Sequence, residues 1–348
     1  MINKKVAVLM SGGVDSSTAA YLLKKVGYEV LGVYLRMFSP TIGDLTEPFD
    51  KVKTVCKNID IPCYILDVQS EFKDKIINNF VDSYKNALTP NPCVVCNKYI
   101  KFGIFMNYVI NELNIDHVSS GHYANIEKAN NRFLLKKARD PKKDQSYVLY
   151  TLKQDVLSRL ILPLGLIEKT EVRYTAKKLI SDFDFGKESE DLCFVEGDYK
   201  GYLKQFINEK EGLIINKQGK VLGKHKGIHM YTIGQREGLG ISNKTPLYVI
   251  DIDPVKNNII VGEREEVFSL NLIADNINFI PFDVLDKKIE ASAKVRYKSE
   301  EKPCTVEPYE NKIKVIFNEP QFAITKGQSI VFYDNDYVIG GGIIREVF

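Results

Sequence analysis

The chain has 348 residues, of which 44% are hydrophobic and 27% are charged, a composition that excludes disordered, collagen-like and disulfide-dense proteins. Its length predicts two or three domains. The 48 Lys and Arg residues nearly balance the 45 Asp and Glu residues, so the net charge of +3 neither requires nor excludes a nucleic-acid partner. No apolar run approaches the ~18 residues of a membrane span, and the strand-like start meets a glycine turn too early for a signal peptide. We therefore expect a soluble, cytoplasmic protein whose six cysteines are reduced.

Strand and helix signals alternate along the first 180 residues. The opening segments KKVAVLM, DSSTAAYLLKKV and VLGVYL predict a strand, a helix and a strand, which together form a βαβ unit of a parallel sheet. Apolar periodicity extends this alternation along the chain. The predicted strands are 4–10, 30–35, 63–68 and 116–121, and the predicted helices are 15–26, 49–58, 72–88, 102–113, 154–157 and 169–180.

The pattern changes after about residue 205. Four later segments alternate between apolar and polar residues around tight polar turns, which is typical of hairpins. These segments are 213–223, 248–262, 304–317 and 329–344. We therefore predict an α/β protein with a parallel-sheet domain over 1–205, a small mostly β domain over 206–267 and an antiparallel β-barrel over 268–348.

The segment SGGVDS, residues 11–16, joins the first predicted strand to the first predicted helix. Adjacent glycines let successive backbone N–H groups face one concavity, and the following helix adds the positive end of its dipole, which suits an anion. Ser11 and Ser16 can donate hydroxyl hydrogens, and Asp15 could bind Mg²⁺ or cap the helix. The alternative is a plain tight turn with a capping aspartate. The GxxxxGK[ST] and GxGxxG motifs are both absent.

Two of the six cysteines, Cys93 and Cys96, have the spacing of metal ligands or of a redox-active pair. Pro90 and Pro92 precede them, and we expect these prolines to exclude helix and to place the pair on an exposed, rigid loop. A half zinc site is the alternative, although no second CxxC or His pair completes it. Cys193 is distant in sequence, and taken alone it predicts a buried core thiol. The remaining thiols are expected to be ordinary packed side chains: Cys56, Cys63 and Cys304.

Eight segments occur in a characteristic order: SGGVDS (11–16), NPCVVCNKYIKF (91–102), SSGHYA (119–124), KDQSYVLYTL (143–152), DLCFV (191–195), TIGQREGLGI (232–241), VRYKS (295–299) and GGGII (340–344). The first resembles the PP-loop of the N-type ATP pyrophosphatases, which split ATP to AMP and pyrophosphate. Together the eight segments resemble the tRNA-specific 2-thiouridylases, and the resemblance covers about residues 4–346. Other PP-loop enzymes share only the first motif.

The resemblance implies a reaction with ATP. ATP would lie over the PP-loop, and the C2 oxygen of a flipped-out wobble uridine would attack its α-phosphate. Pyrophosphate would leave, with Mg²⁺ and the loop amides stabilising its charge, and sulfur would then replace AMP at C2. The positions implied for nucleotide contact are Leu9, Met10, Ser11, Gly12, Gly13, Val14, Asp15, Ser16, Leu35 and Gly121.

The resemblance also implies how sulfur arrives. Cys193 would carry it as a persulfide, and Cys96 would attack this persulfide, free sulfide and leave a Cys96–Cys193 disulfide. The sequence departs from the commonest family pattern at Cys93, where many members have Asp after Asn-Pro. In the family this aspartate is thought to contact the target base or to transfer protons, so that role is in doubt for this chain. Three thiols are also the ligand set of a 4Fe–4S cluster with one open iron. Two hypotheses are therefore open: a persulfide route in which Cys93 is a spectator or resolving thiol, and a cluster on Cys93, Cys96 and Cys193.

Two basic runs, within 132–143 and 212–236, could follow tRNA phosphates, although such runs are usually solvated faces. The tRNA contacts implied by the resemblance are Asn91, Pro92, Cys93, His122, Lys143, Asp144, Gln145, Arg296, Tyr297 and Gln328. Without the resemblance, His122 predicts a hydrogen-bonded structural residue. The expected partners are wobble-uridine tRNAs, such as those for Lys, Glu and Gln, and a sulfur donor, which is a cysteine desulfurase, a relay protein or free sulfide.

Two other functions are compatible with parts of the sequence. A PP-loop ligase or amidotransferase acting on a metabolite would share SGGVDS, but it has no use for the CxxC pair, Cys193 or a C-terminal barrel. A non-catalytic tRNA- or iron–sulfur-binding protein would not need the intact loop and both reactive cysteines. Release of pyrophosphate that depends on tRNA would favour thiolation over both.

Overall fold

The computed structural model describes residues 4–38, 47–179 and 192–348. The chain divides into two compact units. The first comprises Met1–Ile76, Cys93–Phe194 and Asn335–Ile339, and the second comprises Ile77–Pro92, Val195–Asp334 and Gly340–Phe348. The predicted helix end at Ile180 and the first residue of the DLCFV segment, Asp191, lie outside the described residues.

A parallel sheet forms the centre of the first unit. The strands of this unit are β1 Lys5–Leu9, β2 Glu29–Arg36, β3 Cys63–Asp67, β4 His117–Ser119, β5 Asn125–Ala129, β6 Arg132–Lys136 and β7 Leu160–Ile161. Five of them form the sheet in the order β3-β2-β1-β4-β7, and each neighbouring pair is parallel. The interior of β1 is apolar without interruption and fully buried, as expected for a strand covered on both faces. β5 and β6 form an antiparallel hairpin that the sequence did not predict.

Helices occupy most of the predicted helical segments. They are α1 Val14–Lys25, α2 Glu47–Asn58, α3 Gln69–Phe72, α4 Asn79–Lys85, α5 Pro92–Cys96, α6 Phe105–Asn111, α7 Gln154–Leu157, α8 Lys169–Leu179 and α9 Tyr199–Leu203. Two π-helical stretches, Lys73–Asn78 and Asn97–Ile104, continue the helices that precede them. The segment predicted as helix over 72–88 begins earlier, at Gln69, and its last helical residue is Lys85.

The prediction of a proline-fixed loop around the CxxC pair is wrong. The helix begins at Pro92 itself, so Cys93 lies in its first turn, and Cys96 is its last residue, directly before the π-helical stretch. Proline is well tolerated at the first helical position, because its missing N–H would have no intrahelical partner there and its fixed φ already suits the helix.

The second unit is mostly β. Its strands are β8 Gly212–Asn216, β9 Val221–His225, β10 Tyr248–Asp253, β11 Asn258–Gly262, β12 Phe268–Phe279, β13 Ile289–Lys294, β14 Lys302–Tyr309, β15 Lys312–Phe322, β16 Ser329–Asp334 and β17 Tyr337–Val347, of which the first three residues of β17 are assigned to the first unit. Four of them form a sheet in the order β10-β11-β8-β9, which contains two of the predicted hairpins. The next six form an antiparallel barrel, which closes because β12 pairs with both β15 and β17. The predicted fold class is therefore confirmed. Within the described ranges, no helix combines the length and the apolar character needed to cross a bilayer.

Candidate active site

The phosphate loop leaves the carboxyl end of β1. Gly12 has φ of +76°, a backbone conformation that favours glycine, and Gly13 is the N-cap of α1 with no side chain bonded to the helix amides. The alternative in which Asp15 caps this helix is therefore wrong. Ser16 Oγ accepts a hydrogen bond from the Ser11 N–H at 3.1 Å and lies 3.1 Å from Ser11 Oγ. The loop thus presents uncapped amides and two adjacent hydroxyls, a combination that suits phosphate oxygens.

Two further predicted nucleotide contacts lie at the same edge of the sheet. Leu35 is near the carboxyl end of β2, and Gly121 follows β4, on the other side of β1. A Cβ on Gly121 would come within 2.8 Å of the Asp15 carbonyl carbon and of the Ser16 nitrogen. In the sheet, β2 borders β1 on one side and β4 borders it on the other. Open parallel sheets bind ligands in the crevice at the carboxyl ends of such strands, where the chain leaves a central strand toward one side and returns on the other.

Asp15 is held by two side chains that the sequence analysis did not single out. Lys169, which is buried, places its ammonium 2.7 and 2.8 Å from the two carboxylate oxygens. The Tyr123 hydroxyl donates to Asp15 Oδ1 at 2.6 Å. The sequence contained one indication that Lys169 has a functional role. Lys169 is the first residue of its helix, where a positive charge interacts unfavourably with the positive end of the helix dipole, so such a lysine is expected to have a compensating partner.

The three cysteines of interest belong to the first unit. Cys96 is buried, whereas Cys93 and Cys193 are exposed, so the core-thiol interpretation of Cys193 is wrong. The residue after Cys193, Phe194, packs edge-to-face on Phe72 with ring centroids 5.9 Å apart, which anchors the segment. The thiols are close enough to influence one another electrostatically, since Cys93 and Cys193 both raise the pKa of Cys96.

Desolvation is the largest influence on the pKa of each of these thiols, including Cys93 and Cys193, whose residues are exposed. Desolvation raises the pKa of Cys96 to about 11 and also raises the pKa values of Cys93 and Cys193. The positive charge of Lys101 opposes this shift in the pKa of all three thiols. Lys101 also acts with burial to hold the pKa of His122 well below its usual range, so that this imidazole is neutral at pH 7. Sequence reasoning missed Lys101, although it lies within the NPCVVCNKYIKF segment.

The described residues do not bring three or more His, Cys, Asp or Glu side chains into an arrangement that could hold a metal ion. The cluster on Cys93, Cys96 and Cys193 stays a prediction, and these three thiols are close enough to affect one another's pKa. Two of the other thiols are buried as predicted, Cys56 and Cys304, while Cys63 is half-buried.

Several predicted tRNA contacts have structural partners of their own in the first unit. Asp144 accepts hydrogen bonds from the Ala138 N–H and from Ser146, and His122 is buried with Nδ1 2.8 Å from Ser120 Oγ. The remaining predicted tRNA contacts of this unit are Cys93, which is exposed, and Lys143 and Gln145, which are half-buried.

The other predicted contacts belong to the second unit. Arg296 is exposed and donates to the Phe322 carbonyl, and the neighbouring Tyr297 is also exposed. Gln328 donates to the Thr89 carbonyl at 3.2 Å, just before Asn91 and Pro92. An interaction with tRNA stays a prediction for every residue of both sets.

Three family models match consecutive parts of the chain. They are described as a tRNA methyl transferase HUP domain over residues 4–197, a tRNA methyl transferase PRC-barrel domain over 200–263 and an aminomethyltransferase beta-barrel domain over 269–344.

Full-length relatives agree with one another in name. The chain is 45% identical to the tRNA-specific 2-thiouridylase MnmA 2 of Clostridium botulinum over 348 residues, which covers 98% of each chain. It is 46% identical to MnmA 1 of Clostridium tetani, covering 99% of this chain and 98% of the relative, and 44% identical to MnmA of Clostridioides difficile, covering 99% of each. The chain therefore belongs to the family of tRNA-specific 2-thiouridylases.

Proposed function

We propose that this chain is a sulfurtransferase that uses ATP to replace the C2 oxygen of the wobble uridine of tRNA with sulfur. The observation that carries this proposal is the presence, in one compact unit, of the phosphate loop and of the mutually interacting thiols Cys96 and Cys193. A PP-loop ligase would need the loop alone. The family membership of the chain supports the same conclusion.

In the first half of the reaction, the uridine C2 oxygen attacks the α-phosphate of ATP and pyrophosphate leaves. The amides at the start of α1 and the hydroxyls of Ser11 and Ser16 bind the phosphate oxygens, and Leu35 and Gly121 line the nucleotide site. Asp15 fits Mg²⁺ chemically, since a carboxylate has about four lone-pair positions and its two oxygens accept three hydrogen bonds here. Bound Mg²⁺ would neutralise the charge of the leaving pyrophosphate.

In the second half, sulfur moves from a Cys193 persulfide to the activated uridine. The Cys96 thiolate attacks the Cys193 sulfur, a Cys96–Cys193 disulfide forms, and the terminal sulfur leaves as hydrosulfide. The hydrosulfide attacks C2, and AMP departs with the original oxygen. An external thiol then reduces the disulfide. The exposure of Cys193 suits loading by a donor, and the proximity of Lys101 favours the thiolate form of Cys96.

The partners of the reaction follow from the same proposal. The substrates are wobble-uridine tRNAs such as those for Lys, Glu and Gln, and the sulfur donor is a cysteine desulfurase or a relay protein. The domains 1–205, 206–267 and 268–348 would supply the catalytic unit, a tRNA-contacting segment and the barrel. The residues proposed to contact tRNA are Asn91, Pro92, Cys93, His122, Lys143, Asp144, Gln145, Arg296, Tyr297 and Gln328. No step passes through an iron–sulfur cluster.

The direct test is thiolation of an unmodified tRNA transcript. The protein is incubated with ATP, Mg²⁺, cysteine and a cysteine desulfurase, and the tRNA nucleosides are analysed by mass spectrometry. We expect 2-thiouridine in a tRNA with U34 and none in a matched transcript with C34. Pyrophosphate should be released only when the U34 transcript is present. Equal release without tRNA, and no thiolated nucleoside, would contradict the proposal.

A further inference from the structure

The strongest unexplained feature is the ion pair beside the phosphate loop, in which Lys169 is buried and the Asp15 side chain is 34% exposed. Lys169 is 5% exposed, and its ammonium contacts both oxygens of Asp15, the second residue of α1. Such a pair stabilises a fold little, since the cost of removing the Lys169 ammonium from water offsets its attraction to Asp15. A pair at this place therefore calls for a role in the site.

The position of Lys169 is fixed from several directions. Its backbone N–H donates to Asp140 Oδ2 at 3.2 Å, and it is the first residue of α8. That helix packs on α1, where Val172 lies in the same buried cluster as Ala19, and Thr18 donates to the Val172 carbonyl. The ammonium is thus delivered to Asp15 by a helix that is itself attached to α1.

Asp15 is held by a neutral hydroxyl donor as well. Tyr123 follows Gly121 closely in the chain, it is 2% exposed, and its hydroxyl donates to the oxygen that Lys169 also contacts. The Lys169 ammonium lies 5.6 Å from the centroid of the Tyr123 ring. Lys169 and Tyr123 therefore fix the orientation of the Asp15 carboxylate. Gly121 in turn lies directly against the backbone at Asp15 and Ser16.

We propose that Lys169 is a positioning residue, which orients Asp15 and the first turn of α1 so that the amides and hydroxyls of the phosphate loop face the phosphates of ATP. This inference rests on the proposed function, because it assumes that ATP binds at the loop. Lys169 acts through Asp15: it offsets the negative charge that would otherwise repel the phosphates, and it fixes the direction of the carboxylate. A purely structural ion pair would instead affect folding and leave the affinity of the folded protein for ATP unchanged.

The test measures ATP binding by isothermal titration calorimetry in the full chain, together with a thermal melt of each variant. We expect Lys169→Met to raise the Kd for ATP about tenfold or more, since it leaves the Asp15 charge unpaired beside the phosphates. Lys169→Arg, which can still pair with both carboxylate oxygens, should stay within about threefold of the wild type. The double variant Asp15→Asn/Lys169→Met has no unpaired charge at residue 15, so it should bind ATP more tightly than Lys169→Met does. If Lys169→Met does not fold, the double variant takes its place in the test. Its Kd for ATP should then still exceed that of the wild type.

The matched control is Lys24→Met. Lys24 lies on α1 as well and pairs with Asp60 at 2.8 Å, but this pair is exposed and at the other end of the helix. Its loss should leave the Kd for ATP unchanged. Wild-type affinity in folded Lys169→Met, or strictly additive effects in the double variant, would overturn the inference while leaving thiolation by the wild type intact. Failure of the wild type to bind ATP would instead refute the proposed function.

Discussion

Gln145 and Tyr123 exchange two hydrogen bonds. The backbone N–H of Gln145 donates to the Tyr123 carbonyl at 2.8 Å, and the Tyr123 N–H donates to the side-chain oxygen of Gln145 at 2.9 Å. The Tyr123 hydroxyl in turn donates to Asp15. Gln145 is one of the residues proposed to contact tRNA. Only Tyr123 lies between Gln145 and Asp15 of the phosphate loop in this series of hydrogen bonds. This short connection offers a physical reason for pyrophosphate release to depend on tRNA.

We therefore expect Gln145→Ala to weaken tRNA-dependent pyrophosphate release more than it weakens ATP binding. The variant removes the side-chain hydrogen bond that links residue 145 to Tyr123, and losing the roughly 1 kcal/mol of such a bond should lower the tRNA-dependent rate about fivefold. The measurement is the rate of pyrophosphate release at saturating ATP, with and without tRNA. Gln154→Ala is the matched control, since Gln154 Oε1 likewise accepts from a backbone N–H, that of Phe133 in the β5–β6 hairpin, and its Nε2 donates to the Phe133 carbonyl. An equal effect in both variants would contradict the connection.

The sequence predicted the parts of the fold that are encoded locally. The apolar run of β1, the glycines that follow it and the helical periodicity of α1 are contiguous, so the phosphate loop could be recognised from the order of its residues alone. The hairpins β8–β9, β10–β11 and β14–β15 were likewise predicted, because their turns carry strong local signals. The pairing of β12 with β17, which closes the predicted barrel, could not be assigned from the sequence, since the two strands are distant in the chain.

The site shows the same division. Lys169 lies 154 positions from Asp15, and no local pattern connects the two residues. The helix at the CxxC pair was mispredicted because two prolines were taken to exclude helix, whereas the second occupies the one helical position that suits proline. Lys101 was missed because its effect on the cysteines depends on how the π-helical stretch and the Cys193 segment fold.

Gly121→Ala should damage the phosphate loop directly. The new Cβ would lie 2.8 Å from two backbone atoms at Asp15 and Ser16, so the start of α1 must shift. We expect the Kd for ATP to rise about tenfold and the melting temperature to fall, with typical overpacking costs of about 1–3 kcal/mol. Gly201→Ala is the control, because its Cβ would meet no atom closer than 3.4 Å, on the short helix α9. Unchanged ATP binding in Gly121→Ala would argue against a nucleotide site at this edge of the sheet.

The sulfur-transfer step should accelerate steeply with pH. Burial raises the pKa of Cys96 to about 11, and its attacking form is the thiolate, so the reactive fraction grows as the pH rises toward that value. In single-turnover reactions with a preformed Cys193 persulfide, we expect the rate to rise about tenfold per pH unit between pH 7 and 9. A rate that levels off below pH 8 would show that the Cys96 thiol is activated by a group or a rearrangement absent from this structure.

Lys101→Met should slow sulfur transfer through the same thiol. The ammonium lowers the pKa of Cys96, so its removal raises that pKa and reduces the thiolate fraction at a fixed pH. The predicted signature is a lower rate at pH 8 that recovers at higher pH, measured in the same single-turnover reaction, with ATP binding unchanged. Lys98→Met is the control, since Lys98 is exposed on the same π-helical stretch and packs over Tyr99. A loss of rate that is independent of pH would exclude this electrostatic role.

Cys93→Ser separates the two routes of sulfur delivery. In the persulfide route, bonds form and break only at Cys96 and Cys193. Cys93→Ser should therefore retain a thiolation rate within about threefold of the wild type. Cys96→Ser and Cys193→Ser should abolish thiolation, because they remove the nucleophile and the sulfur carrier. On the persulfide route, the wild type purified without oxygen should contain no stoichiometric iron, since no step of that route uses it. Each protein is measured for iron content, for its absorption near 400 nm and for 2-thiouridine formed in tRNA. If the wild type contains iron and Cys93→Ser loses both iron and thiolation, the three cysteines act together as cluster ligands and the persulfide route is contradicted.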